Sequence, residues 1–176
     1  MKKSKLKIYI FMALCCSMGM FAKKLVNPFA NIITDYLRIP GGISTAFSIM
    51  FLVVAREICG IKWCGTMMGL VQGALALAMG RVGSMGIFMP LGYIVPGVVI
   101  DIVSIILDKT GWTDGTERAA VINMLASLSA AMTANGLVFR LWGVVLVLYG
   151  AVASISGLCF GILGAELIRR VRKAIK

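Results

Sequence analysis

A few hydrogen-bonding and aromatic side chains interrupt a chain that is otherwise apolar, and their positions define the chemistry open to it. Thr133 and Asn135 sit near the end of one apolar run, and Arg140 and Trp142 follow in the turn to the next. Phe88 and Tyr93 flank Pro90 in another run, and Gln72 lies midway along a third. An aromatic wall with a few amide, hydroxyl and cationic groups is the lining that a small-ligand pocket requires. Phe29 joins this set from the connection that leads into the second apolar run. Arg140, Trp142 and Arg81 also fit a second role, as anchors at the membrane–water boundary.

A second constellation is ionic. Arg56 and Glu57 close one apolar run, and Asp101 falls late in another. A charge at the centre of a membrane helix costs about 2.5 to 3.5 kcal/mol on insertion scales, so it needs a partner. Matching depths predict an Arg56–Asp101 pair, read as a structural ion pair or a partner contact near the cytoplasmic face rather than a proton relay.

Catalysis is not legible. The chain has no histidine, and no H-E-x-x-H, G-x-S-x-G or Walker A glycine loop occurs. Paired carboxylates at helical spacing are missing as well. The five cysteines form no C-x-x-C pair, so neither a zinc set nor another metal site is expected. The expectation is a protein that binds, without a cofactor and without enzymatic activity, and that relies on another subunit for any ATP-driven work.

The elements that must position these residues follow from composition. Of 176 residues, 60% are hydrophobic and 14% charged, where a soluble domain carries about a quarter charged residues. Six apolar runs predict helices at about 8–22, 43–58, 64–80, 84–107, 118–139 and 141–168. The reading is an all-α, polytopic membrane protein: one integral membrane domain over residues 1–176, built as a six-helix transmembrane bundle. Alternate threading puts Lys2, Lys3, Lys5, Lys7, Arg56, Lys62, Lys109, Arg118, Arg169, Arg170, Arg172, Lys173 and Lys176 on one face. The other face keeps Lys23, Lys24, Arg38, Arg81 and Arg140. This asymmetry predicts cytoplasmic N- and C-termini. The net charge of +11 concentrates beside membrane runs, which points to the lipid bilayer and not to nucleic acid. The first run ends Met20-Phe21-Ala22-Lys23 without an A-x-A-like site, so it reads as a retained helix and not a cleaved signal.

Lys23-Lys24 is expected to end helix 1, with residues 25–38 as an outward loop folded over the bundle or lying in the interface. Pro90 and Pro96, each beside glycine, predict a kinked or unwound outer end of helix 4. Gly65, Gly69 and Gly73, then Ala126, Ala130 and Ala134, then Ala153, Gly157, Gly161 and Ala165 recur at four-residue spacing. Such stripes let helices pack closely within the bundle. Ala13 and Ser17, with Cys15 and Gly19, form a similar patch on helix 1 that suits either the bundle or a membrane partner.

Six short helices without a nucleotide site resemble the substrate-binding S component of an energy-coupling factor (ECF) vitamin transporter. The segments Leu37-Arg38-Ile39-Pro40-Gly41-Gly42, Gly69-Leu70-Val71-Gln72-Gly73 and Gly97-Val98-Val99-Ile100-Asp101 are similar in layout to the thiamine and thiamine-precursor branch. The resemblance implies a small-molecule vitamin or precursor captured outside a prokaryotic cell membrane, beneath an occluding loop between helices 1 and 2. It also implies partners: a membrane coupling subunit and two ATPase subunits, met through Ala13 and Ser17, where the family carries A-x-x-x-A. One departure stands out. The branch places an acid shortly after the helix 3 glutamine, whereas here the stretch reads Gln72-Gly73-Ala74-Leu75-Ala76-Leu77. A neutral or carboxylate-bearing ligand fits this outer half better than cationic thiamine. The competing readings are a stand-alone secondary transporter or channel, and a membrane scaffold.

Overall fold

The computed structural model describes residues 5–37, 42–80, 83–112 and 115–175. Six α-helices and no strand occur among them: α1 (Lys5–Leu37), α2 (Ile43–Cys59), α3 (Cys64–Ala78), α4 (Leu91–Lys109), α5 (Thr116–Met132) and α6 (Val144–Ile175). A 3-10 segment, Gly83–Phe88, precedes α4, and a π-helical turn, Thr133–Val138, continues α5. Four stretches are long and apolar enough to cross a bilayer: Leu6–Ile32, Gly86–Lys109, Thr116–Val138 and Val144–Ala174. The chain is an all-helical membrane protein, a form in which every backbone polar group can be satisfied within its own helix.

The bundle forms around α2, which packs against α1, α5 and α6. Leu52, Val53, Val54 and Ala55 are buried in succession, as expected of a helix that is apolar all round and enclosed by others. It stops at Gly60, whose left-handed backbone (φ 66°) returns its N–H to the Arg56 carbonyl.

The glycine stripes are used inside the bundle. A methyl group built on Gly65 would stand 2.7 Å from the Gly97 carbonyl oxygen, and one on Gly69 would stand 2.5 Å from that of Tyr93. Only glycine allows α3 and α4 to approach this closely. On the other side, Gly161 leaves the same kind of space for the Cα of Ala120, which a methyl group would meet at 2.5 Å. Dispersion from such close contact is what holds helices together where lipid removes the hydrophobic drive.

Three sequence-based boundaries change. Helix 1 does not end at residue 22: α1 continues through Lys23-Lys24 and Pro28 to Leu37. Residues 25–37 are therefore helical and not a folded-back loop, and Arg38 lies outside the described residues. Lysine stems lie along a helix while their ammonium groups reach for water, so a lysine pair in an apolar helix does not stop it. Helix 4 does unwind at its N-terminal end, with the 3-10 segment and a turn at Met89–Pro90 before the helix proper begins at Leu91. The last helix runs on to Ile175, because Arg169–Lys173 are good helix formers.

At the basic end of the bundle the predicted ion pair is present. Arg56 Nε lies 3.3 Å from Asp101 Oδ1, a charge contact without a directed hydrogen bond at that nitrogen. Asp101 is fully buried and does more than pair. It accepts the backbone N–H groups of Gly65 (3.1 Å) and Thr66 (2.7 Å) and the Thr66 hydroxyl (2.7 Å). Trp63, the residue in the cap position of α3, makes no side-chain capping bond. Asp101 caps α3 instead, from a neighbouring helix, and its charge complements the helix N-terminus. Arg118 completes the network with Glu57 at 3.1 Å and Asp108 at 2.8 Å.

Candidate functional site: a cavity at the opposite end

At the other end, a cavity of about 470 Å³ opens between five helices. Its volume falls in the range of small-molecule sites, about 300 to 1,000 Å³. Lys23 of α1 and Gly42 and Thr45 at the start of α2 form one side. Met89, Gly92 and Tyr93 face them from the unwound entry to α4, while Tyr149 and Ala153 close the side of α6. The Lys23 ammonium stands 5.0 Å from the centroid of the Tyr93 ring, in cation–π range.

The fourth wall is the end of α5. Ala130, Ala131 and Ala134 contribute it together with Ser127, Asn135 and Phe139. The alanine stripe is therefore shared: Ala126 and Ala130 belong to the core, and Ala130 and Ala134 also border the cavity, where their small side chains leave it open. Asn135 is carried by the π turn, where Phe139 N–H reaches back to the Ala134 carbonyl at 3.1 Å. Such widened turns recur at functional sites because they displace side chains from the regular helical register. The Asn135 amide nitrogen is anchored on the Ala131 carbonyl at 3.0 Å, which leaves its amide oxygen as the group to meet a ligand.

Ser127 is the telling residue. It is only 2% exposed, it borders the cavity, and its hydroxyl has no hydrogen-bond partner in the protein. Serines in membrane helices ordinarily bond a carbonyl one turn back, as Ser154 and Ser156 do here. An unsatisfied buried hydroxyl costs about 1 to 3 kcal/mol; Ser104 Oγ and Asn123 Oδ1 share that state elsewhere in the bundle, and of the three only Ser127 belongs to a residue that borders this cavity. Compared with family models, with curated proteins and with solved structures, the chain has no match.

Of the residues singled out from sequence, the structure brings Tyr93 and Asn135 together in this cavity. Gln72 lies beside it, in a far smaller adjoining cavity, with its amide nitrogen bound to the Cys16 carbonyl at 3.1 Å. It braces α1 against α3. Thr133 is buried and turns its hydroxyl onto the Ser129 carbonyl at 2.8 Å. Phe29, Phe88 and Trp142 are exposed and are not part of the lining. Arg140 is exposed too, and its left-handed backbone (φ 51°) makes it the turn residue between α5 and α6. Arg81 lies outside the described residues. Sequence reasoning missed Lys23, Thr45, Ser127 and Tyr149. Ser127 carried a usable signal: at helical spacing it shares a face with Ala131, Ala134 and Asn135.

The lining is chemically one-sided. Lys23 is its cation, and no carboxylate stands among the described residues that border it. The N-terminal turn of α2 adds the positive end of its dipole through Gly42 and Thr45. The arrangement suits non-covalent capture of a neutral or anionic molecule with an apolar body.

Proposed function

We propose that this protein is the substrate-capture subunit of an ECF-type importer, multi-pass in the plasma membrane of a prokaryote, with both termini in the cytoplasm. A small vitamin or vitamin precursor binds in the outer cavity, and a separate membrane coupling subunit with two ATPase subunits drives its delivery inward. The observation that carries this reading is the cavity with the unsatisfied Ser127 hydroxyl in its wall. The lining, with Lys23 and no described acid, supports a ligand bearing a carboxylate or no charge. That same lining argues against thiamine itself.

The partner side of the proposal rests on α1. Cys15, Cys16 and Gly19 turn into the bundle, whereas Ala13 and Ser17 face outward. The Ser17 hydroxyl folds onto the Ala13 carbonyl at 2.9 Å, so the patch presents a small, internally satisfied surface. An apolar groove borders it, formed by Met18, Phe21 and Leu25 with Phe47 and Phe51. A helix of a coupling subunit can approach closely there.

The test is to purify the full chain gently and identify any co-purifying small molecule by mass spectrometry. Tyr93→Ala and Asn135→Ala are expected to release it, and Trp142→Ala to retain it. Uptake should require co-reconstituted coupling and ATPase subunits. Uptake by the isolated protein in liposomes would sink the proposal in favour of a stand-alone transporter.

A further inference from the structure

A second cavity, of about 320 Å³, lies at the basic end between α2, α5 and α6. Arg169, Arg172 and Lys173 border it, against a single carboxylate, Glu57. That carboxylate is already held by Arg118 Nε, at 3.1 Å to each oxygen. Arg169 pairs with Glu166 at 3.2 Å and Arg172 donates to the Glu57 carbonyl at 3.2 Å; with Lys173 in the lining as well, the cations around the cavity still outnumber these two carboxylates. The first turn of α5 opens onto it through Gly115 and Thr116, and this helix start has no side-chain cap. Its free N–H groups add to the field of the three cations.

The helical face that leads to these cations discriminates between possible anions. Ile155, Leu158 and Ile162 are exposed on α6, and at the same three- and four-residue spacing the face continues through Ala165 to Arg169, Arg172 and Lys173. One continuous strip thus passes from lipid-facing apolar side chains to a cationic recess floored by Ala119, Ala165 and Ile168. A free phosphate would use only the recess. A phospholipid matches the whole strip, with its headgroup phosphate in the recess and an acyl chain along Ile162, Leu158 and Ile155.

We infer that this recess is a binding site for the headgroup phosphate of an anionic phospholipid. The site is independent of the outer cavity and of whatever that cavity binds. It fastens the ends of α5 and α6 to one leaflet and links the lipid composition of that leaflet to the bundle.

The test uses the full chain in mild detergent, offered equal amounts of phosphatidylglycerol and phosphatidylcholine and read by native mass spectrometry. Phosphatidylglycerol should be retained preferentially. Lys173→Gln should lower its occupancy about fivefold, and Arg172→Gln combined with Lys173→Gln by more than about tenfold. Arg170→Gln removes the same charge from the neighbouring position, which is 76% exposed in its side chain and outside the recess. It should leave occupancy unchanged. Lys173→Arg should restore binding, and an unaltered melting profile for each variant excludes misfolding as the cause. Equal losses from Arg170→Gln and Lys173→Gln would reduce the effect to diffuse surface charge and overturn the site. Displacement of the lipid by inorganic phosphate at similar concentration would overturn the lipid assignment and leave a free-anion site.

Discussion

The two ends of the bundle are built from the same rarity, polar groups buried at membrane depth, and they are finished differently. At the basic end Arg56, Asp101, Arg118 and Glu57 each have an opposite charge within about 3.3 Å, and Asp101 collects three hydrogen bonds besides. At the other end Ser127 has no partner and Lys23 borders a cavity with no described carboxylate. The difference teaches that burial alone does not mark function. Groups paired inside the protein hold helices, whereas Ser127 is left without a partner beside a cavity.

The sharpest way to break this contrast is Asp101→Ala. It uncaps α3 and leaves the buried Arg56 with only the more distant Asp108, at 3.7 Å, at a cost of about 3 to 5 kcal/mol. Thermal unfolding in detergent should record a large drop, and an unchanged melt would show that the network is dispensable. Next in size is Gly65→Ala. The added methyl meets the Gly97 carbonyl, and such overpacking costs about 1 to 3 kcal/mol; a melt as high as the parent's would mean that α3 and α4 can separate freely.

Ser127→Ala sharpens the comparison from the other side. Deleting an unsatisfied hydroxyl should leave the ligand-free protein as stable or more stable, by about 1 kcal/mol, while ligand affinity falls about five- to tenfold. Loss of stability without loss of affinity would assign Ser127 to packing. Smallest of all are Trp142→Ala and Phe29→Ala. Both residues are exposed, at 78% and 66%, and each change should stay within about 0.5 kcal/mol and spare the co-purified ligand. A vacated cavity in either variant would extend the site beyond its described lining.

Much of the fold was legible because lipid imposes simple rules. The apolar runs located the helices, the prolines marked the break before α4, and depth matching found Arg56–Asp101. Where reading failed, one residue type supported two outcomes. Lys23 and Lys24 looked like a helix end, yet Leu25, Phe29, Ile32 and Tyr36 continue the helical period beyond them. Gln72 had the burial of a pocket residue, but its amide is committed to Cys16. Arg140 and Trp142, read both as pocket lining and as anchors, are exposed and lie outside the described lining. Ser127 shares a helical face with Asn135, but a lone serine in an apolar helix usually bonds its own backbone, and only the assembled bundle reveals that this one does not.

The bond between Asp101 and the start of α3 has a mechanical consequence. Gly65 against Gly97, Gly69 against Tyr93 and Gly73 against Pro90 lock α3 to α4 along much of their length, and Asp101 ties the basic end of the pair. These two helices form a single stiff strut, and Tyr93 is mounted on it. Under the proposed function, movement beside Tyr93 falls to the parts held less closely to the strut: the π turn, which carries Asn135, and the half of α1 that holds Lys23, beyond the point where Gln72 braces Cys16.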